Sequence, residues 1–255
     1  MSAIAFSDLN LTLGKKTILK QTSASIKAGE FTILLGPNGT GKSSLLKLIS
    51  REWQTKGQVS YFGRNLDEWN PAHLAMHVGV LPQHSNLTFA FTAREVVELG
   101  GLNLHSCQKG ITKIASQNMQ RTDVTHLADR LFPSLSGGEK QRVHLARVLT
   151  QISQSEDKCA LLLDEPTSAL DLGHQHRTLQ LAKEMANQGS AVVAVIHDLN
   201  LAAQYGDRLI VLNEGQIAAD GTPEEVLTPA LIESVYNWKV NVMTHPSGHY
   251  PIVIS

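Results

Sequence analysis

A glycine-rich stretch, GPNGTGKS, occupies residues 36 to 43. It matches the pattern G-x-x-x-x-G-K-[ST], in which glycines let backbone N–H groups approach phosphate oxygens. In this pattern Lys42 reaches the β- and γ-phosphates, and the hydroxyl of Ser43 binds Mg²⁺. We expect a nucleoside triphosphate site between a strand and a helix, with Lys42 solvated when no nucleotide is bound. The expected binding residues are Gly36, Pro37, Asn38, Gly39, Thr40, Gly41, Lys42, Ser43 and Ser44.

A second pattern, ALLLDEP, ends in two carboxylates at residues 164 and 165. An apolar run of this kind is typical of a buried parallel strand, whose carboxyl end reaches the ligand crevice. Together with the glycine-rich stretch, Asp164 is expected to bind the same Mg²⁺ as Ser43. Glu165 is expected to orient or polarise a water molecule. By itself the pattern is common, so this interpretation depends on the combination.

Two other polar residues follow apolar strands. His197 ends the run AVVAVIH, and Gln83 lies in VLPQHS. A histidine there is more often a polar cap than a catalytic group, and glutamine occurs in any loop, so neither indicates a function by itself. His84, His174 and His176 have no cysteine or carboxylate partner placed by the sequence, which favours surface positions over a metal site.

The stretch LSGGEKQR, residues 135 to 142, predicts the start of a helix whose first backbone N–H groups are free to bind a ligand. Ser136 can cap the helix, and Glu139 three residues later completes a capping box. Gly137 and Gly138 leave the first N–H groups uncovered, and the positive end of the helix dipole suits an anion. The chain therefore has a second candidate phosphate site, one without a lysine.

Composition excludes several classes of protein. The chain has 255 residues and a net charge of −1, which gives no basic footprint for duplex nucleic acid. Cys107 and Cys159 form no CxxC pair, and a reducing compartment is the simplest interpretation. The first residues show no basic region followed by an apolar one, so we expect no secretion signal. The longest apolar runs are too short for a membrane span.

The order of elements predicts one mixed α/β domain over residues 1–255. Strands are expected in AIAFSDLNLTL, in ASIKAGEFTILL and in a hairpin over residues 207–221. Helical patterns dominate residues 85–158 and include IASQNMQRTDVTHLADRLF, residues 114 to 132. We therefore divide the domain into a catalytic α/β core, residues 1–84 and 159–255, and a helical subdomain, residues 85–158.

In this order the motifs resemble those of the ATP-binding cassette (ABC) ATPases over almost the whole chain. They are Walker A (Gly36 to Ser43), the Q-loop (Gln83), the signature (Leu135 to Arg142), Walker B (Leu161 to Glu165), the D-loop (Ser168 to Asp171) and the H-switch (His197). The resemblance implies a P-loop NTPase fold with a RecA-like core, an antiparallel β subdomain and an inserted α-helical subdomain. It also implies hydrolysis of ATP with Mg²⁺.

The resemblance assigns catalytic roles to Glu165, His197 and Gln83, and places Gln83 with Ser43 and Asp164 at the metal. Members of the family pair head to tail with a second copy. The helix start of one copy then covers the γ-phosphate bound by the other, which explains a phosphate site without a lysine. The residues expected to contact the nucleotide of the second copy are Ser136, Gly137, Gly138, Glu139 and Asp171.

One position departs from the family pattern. An aromatic residue usually precedes the glycine of the first turn and stacks on adenine, whereas this chain has Leu13 there. Leu13 retains an apolar contact but loses stacking, so selectivity for the base is expected to be weak. Phe6 is a conceivable substitute.

Four branches of the family compete. Exporters usually carry fused membrane spans, chromosome ATPases need long coiled coils, and translation factors have two cassettes. A lone cassette fits an importer subunit, and LPQHSNLTFAFTAREVVELG resembles bacterial iron-chelate, cobalamin and haem importers, most closely those for haem. The expected partners are two transmembrane permease subunits, and a periplasmic binding protein only indirectly, at the cytoplasmic face of the inner membrane. Phe89 and Phe91, near Gln83, form either the docking groove or part of the core.

Overall fold

The computed structural model describes residues 2–83, 89–155, 159–246 and 248–255. The strands are β1 (Ser2–Leu13), β2 (Lys16–Lys27), β3 (Phe31–Leu35), β4 (Gln58–Tyr61), β5 (Arg64–Asn65), β6 (Val78–Leu81), β7 (Ala160–Asp164), β8 (Ala191–Val195), β9 (Arg208–Asn213), β10 (Gln216–Gly221), β11 (Asn241–Thr244) and β12 (Pro251–Ile254). The helices are α1 (Lys42–Ile49), α2 (Pro71–His77), α3 (Ala93–Glu98), α4 (Gln108–Arg121), α5 (Gly137–Gln151), α6 (Leu172–Asn187), α7 (Leu199–Tyr205), α8 (Pro223–Val226) and α9 (Pro229–Tyr236).

A six-stranded sheet forms the centre, in the order β10-β9-β3-β8-β7-β6. Its strands are parallel except β10, which forms the expected hairpin with β9. Every residue of β3, β7 and β8 is buried. Covered on both faces, these strands are mostly apolar, and Thr32 in β3 and Asp164 at the end of β7 are the buried polar exceptions. The carboxyl ends of these strands lie along one edge of the sheet. The residues predicted to bind phosphate and to take part in catalysis lie at that edge.

A four-stranded antiparallel sheet, β2-β1-β4-β5, packs beside the centre. Phe6, Leu19 and Tyr61 of this sheet share an apolar cluster with Leu34 of β3 and Leu45 of α1. The expectation that the second strand starts near residue 24 is wrong, because β2 begins at residue 16 and leaves a turn of only two residues. The segment KTILKQTS pairs with β1 despite its polar composition, since one face of it is exposed.

Helices α3, α4 and α5 surround an apolar cluster of their own that includes Val96, Met119 and Phe132. The expected continuation of α4 to residue 132 is wrong. The helix ends at Arg121, and Asp123 has φ 56°, a left-handed conformation that no α-helix can contain. Short 3₁₀ turns follow at residues 125–127 and 132–134. No helix in the described ranges is long and apolar enough to cross a membrane.

Helix α5 belongs to two apolar clusters at once. Val143 and Ala146 lie in the cluster of the helical segment, whereas Leu145, Val148 and Leu149 lie in the cluster under the central sheet. The two sets occupy different faces of the helix, because each repeats at three or four residues. The division of the chain at residues 85 and 158 remains a prediction.

Candidate nucleotide-binding site

The glycine-rich loop joins β3 to α1 at the carboxyl edge of the central sheet. Gly36 has φ 136°, and a Cβ atom there would lie 2.0 Å from the carbonyl oxygen of Leu212. Gly41, the residue that caps α1, has φ 103°. Both positions therefore need glycine, for a close backbone approach and for a left-handed turn. The loop has the tight course that phosphate binding by N–H groups requires.

An open cleft of about 220 Å³ lies beside the loop. It is lined by Lys16, Ile18, Asn38, Gly39, Gly41, Lys42, Ser43, Ser44, Glu165 and His197. Three patterns that are far apart in the sequence therefore meet in one place. Lys16 and Ile18 of β2 are additions that the sequence did not indicate, because their position depends on how the antiparallel sheet packs.

Lys42 is buried, with only 5% of its surface exposed. Its Nζ donates hydrogen bonds to the carbonyl oxygens of Gly36 at 2.8 Å and Pro37 at 2.9 Å. Burial lowers the pKa of the ammonium group, and the nearby charges of Glu165 and Asp164 partly oppose that effect. The expectation of a solvated lysine is wrong, because the loop folds back over its own side chain.

Ser43 and Asp164 meet as predicted. The Ser43 hydroxyl donates to Asp164 Oδ1 at 2.8 Å. Burial raises the pKa of the Asp164 carboxyl, and the charge of Glu165 raises it further, whereas the bonds and charges of Ser43, Lys47 and Lys42 lower it. A hydroxyl and a buried carboxylate are hard oxygen ligands, and a cation beside them would offset the cost of burying the charge. These residues therefore fit Mg²⁺.

Glu165 and His197 lie in contact. His197 Nε2 is 2.8 Å from Glu165 Oε1, because β8 and β7 are neighbours in the sheet. Glu165 has φ 50°, a strained value for a residue other than glycine. Strain of this kind clusters at active sites. The sequence favoured a simple strand cap for His197, and only the sheet order reveals its partner.

Gln83 is exposed and lies two residues beyond the end of β6. Leu81 of β6 pairs with Leu163 of β7, so the two strands are neighbours. Gln83 follows β6, and Asp164 is the last residue of β7. His84 and the other residues up to Thr88 lie outside the described residues. Phe89 is 67% exposed, so the alternative that it belongs to the core is wrong. Phe91 is partly buried against the helical cluster.

The capping box at the start of α5 is confirmed. Ser136 Oγ accepts from the N–H of Glu139 at 3.3 Å, and Glu139 Oε2 accepts from the N–H of Ser136 at 2.7 Å. The bond from the Ser136 N–H lowers the pKa of Glu139, and the charge of Arg130 adds to this. Gly137 and Gly138 follow at the first helical positions. None of these residues from 136 to 139 lines the cleft of its own chain, as far as the described ranges show.

The remaining predicted residues lie apart from the cleft lining. Asp171 caps α6 by accepting from the His174 N–H at 3.0 Å. Leu13 is exposed at the end of β1, and Phe6 is buried in the core, so Phe6 cannot replace the missing aromatic. Within the described ranges no group of three or more His, Cys, Asp or Glu side chains is arranged so that it could hold a metal ion, and both cysteines are free thiols.

Comparisons with known proteins agree with this geometry. Residues 19–168 match the family described as ABC transporter. The chain is 57% identical over 253 residues to the hemin import ATP-binding protein HmuV of Photobacterium profundum, across 99% of this chain and 91% of that protein. It is 52% identical over 252 residues to the protein of the same name from Vibrio cholerae, across 98% of this chain and 97% of that one.

Solved structures confirm the predicted fold class. A dimeric structure of the bacterial ABC transporter cassette MJ0796 has a TM-score of 0.76 and 28% identity, covering 86% of this chain and 98% of that one. An inward-facing putative metal-chelate type ABC transporter has a TM-score of 0.81, covering 100% and 98%, but its 24% identity supports the fold alone. The chain belongs to the ABC transporter family, and it is an ATP-binding member of that family with ATPase activity.

Proposed function

We propose that this chain is the ATP-hydrolysing subunit of a bacterial inner-membrane transporter for haem. The carrying observation for the chemistry is the 2.8 Å contact between His197 and Glu165 in the cleft of the phosphate-binding loop. The cargo is inferred from relatives named for hemin import, which are 52% to 57% identical. Siderophore or cobalamin import is the alternative, and DNA repair or translation is more remote.

ATP binding begins with a lysine that is already out of water. Lys42 Nζ can exchange its two carbonyl partners for β- and γ-phosphate oxygens without losing a hydration shell. Ser43, Asp164 and Gln83 would hold Mg²⁺, which when bound would neutralise part of the phosphate charge. The N–H groups at the start of α1 bind the phosphates that face them.

Hydrolysis then depends on Glu165. Its carboxylate accepts a hydrogen bond from a water molecule and orients the water oxygen toward the γ-phosphorus. As the new oxygen–phosphorus bond forms, the bond to the β-phosphate oxygen breaks, and ADP and phosphate are released. The water proton passes to the Glu165 carboxylate and then to solvent or phosphate. His197 Nε2 holds Oε1 of that carboxylate and keeps it in line.

A second copy completes the site. The cleft is open to solvent, and residues 136–139 lie outside its lining. In a head-to-tail dimer the start of α5 from one copy would supply N–H groups and a positive dipole to the γ-phosphate of the other. Ser136, Gly137, Gly138, Glu139 and Asp171 would form this contact.

The chain would bind two permease subunits at the cytoplasmic face of the membrane. The residues proposed for this contact are Gln83, Phe89 and Phe91, and the exposure of Phe89 supports them. A periplasmic binding protein would interact only through the permeases, and haem would not touch this chain. The net charge of −1 gives no reason to expect nucleic acid.

A Glu165→Gln variant tests the chemistry. It keeps a hydrogen-bonding oxygen but removes the charge, so ATP should bind while hydrolysis falls by about 10²–10⁴. With ATP and Mg²⁺ the variant should elute as a dimer, and adding Ser136→Arg should abolish that dimer. Hydrolysis at the normal rate would exclude Glu165 as the catalytic carboxylate, and a dimer in the double variant would exclude the proposed interface.

Deletion of the gene tests the cargo. Cells without this chain should fail to grow on haem as the sole iron source, yet still use siderophores and cobalamin. Complementation with wild type should restore growth, whereas Glu165→Gln should not. A deletion strain that grows on haem but loses cobalamin or siderophore uptake would instead support the alternative.

A further inference from the structure

The backbone of Glu165 is held in place as well as its side chain. Its carbonyl oxygen accepts from Gln141 Nε2 at 2.9 Å, from Ser168 Oγ at 3.1 Å and from the Ser168 N–H at 3.3 Å. Such a set of bonds can hold the left-handed conformation of Glu165, which the backbone would otherwise leave. Ser168 is a local partner three residues away. Gln141 comes from a different element, α5.

The position of Gln141 connects two regions of the chain. It lies two residues after Glu139 on the same rigid helix, whose start is proposed to meet the nucleotide of a second copy. That start also lies against the loop after Glu165, because a Cβ at Gly138 would be 2.8 Å from the carbonyl oxygen of Ala169. A shift of α5 therefore moves the amide that holds Glu165.

The amide is retained at a cost in stability. Gln141 Oε1 is buried and has no hydrogen-bond partner among the described residues. An orphaned buried acceptor costs about 1–3 kcal/mol, and a methionine would fill the same space without it. Buried polar atoms without a hydrogen-bond partner are found chiefly at functional sites.

We propose that Gln141 is a positioning residue for hydrolysis. It holds the Glu165 backbone, so that the orientation of the carboxylate depends on the position of the helix that meets the second copy's nucleotide. The inference rests on the proposed role of Glu165. Gln141 does not line the cleft, so it acts on the rate of hydrolysis and not on nucleotide binding.

The test compares Gln141→Met with Gln151→Met in the purified full chain. Gln151 lies on the same helix and donates Nε2 to the carbonyl oxygens of Ala75 at 2.8 Å and Val78 at 3.2 Å, far from Glu165. Gln141→Met should lower kcat about tenfold to a hundredfold and leave KM for ATP unchanged. Its melting temperature should be unchanged or higher. Gln151→Met should lower the melting temperature and leave kcat unchanged.

Two further measurements separate positioning from a general structural effect. In Gln141→Glu a carboxylate cannot donate, whereas the protonated acid can, so kcat relative to wild type should recover as the pH falls from 8 to about 5. Gln141→Met should show no such recovery. In a Glu165→Gln background Gln141→Met should cause no further loss, because the group that it positions is gone.

The outcomes distinguish the two proposals. If Glu165→Gln hydrolyses ATP normally, the proposed function of Glu165 fails, whatever the Gln141 variants do. If Glu165→Gln is inactive but Gln141→Met keeps the wild-type kcat, the positioning role alone is overturned. A further loss in the double variant, or no recovery of Gln141→Glu at low pH, would also overturn it.

Discussion

Replacement of Lys42 by an uncharged residue of similar size should maintain or raise the stability of the free protein but weaken ATP binding. The two hydrogen bonds of its ammonium group are worth about 1.5–3 kcal/mol each, but removing the charge from water costs several kcal/mol. Burial lowers the pKa of Lys42 even against the nearby charges of Glu165 and Asp164, so desolvation disfavours the charged ammonium in the free protein. The charge is therefore tolerated by the free protein and used only when phosphates arrive.

Two variants separate the charge from the buried side-chain stem. Lys42→Met removes the ammonium and keeps the stem, so the free protein should be as stable as wild type or more so. Lys42→Ala removes about three further buried heavy atoms, at about 0.8 kcal/mol each, or about 2 kcal/mol. At about 2–4 °C per kcal/mol, the alanine variant should melt about 4–8 °C below the methionine variant.

ATP-dependent stabilisation provides the second readout. At 100 times the dissociation constant, ATP should stabilise wild type by about 2.7 kcal/mol, seen as a rise in melting temperature. Both variants should lose most of this rise. Equal melting temperatures for the two variants would show that the stem is solvated. A wild-type response to ATP in either variant would exclude Lys42 from phosphate binding.

Four other variants have defined outcomes. Tyr61 is fully buried and its hydroxyl donates to the carbonyl oxygen of Ile49 at 2.9 Å, so Tyr61→Phe should cost about 1–2 kcal/mol in chemical denaturation while kcat is kept. Phe89→Asp should impair transport without changing the melting temperature, whereas Phe91→Asp should lower it; unimpaired transport by Phe89→Asp would exclude docking there. The pKa of Glu139 is lowered in the fold, so its charge stabilises above pH 4–5 and that contribution is lost as the pH falls through the folded pKa. Glu139→Gln should thus be less stable than wild type at pH 7, and the difference should shrink as the pH falls below 4.5 and through the lower folded pKa; a constant difference would contradict this.

Local spacing predicted several features correctly. The capping box of Ser136 and Glu139 depends only on residues three apart. The hairpin of β9 and β10 follows from its own turn, where Gly215 has φ 80°. Such features need no knowledge of the rest of the fold.

Other features depend on packing between distant segments, which no single stretch encodes. The contact of His197 with Glu165 requires β8 beside β7, although α6 separates them in sequence. The bond from Gln141 to Glu165 requires α5 to lie against the end of β7. The burial of Lys42 requires a loop that closes on its own side chain. The motifs indicated the chemistry, whereas the supporting contacts came only from the structure.

Helix α5 packs into two apolar clusters, and this affects where chimeras of this protein can be joined. A graft that exchanged residues 85–158 with those of a relative would replace Leu145, Val148 and Leu149. The relative's side chains at these positions would then have to pack against a central sheet from a different protein. The volume mismatch would be felt in the recipient's core, even if the donor segment were perfect by itself. A graft that ends before Ser136 keeps α5 native and instead places the new seam against Val143 and Ala146. That junction leaves the core under the sheet untouched.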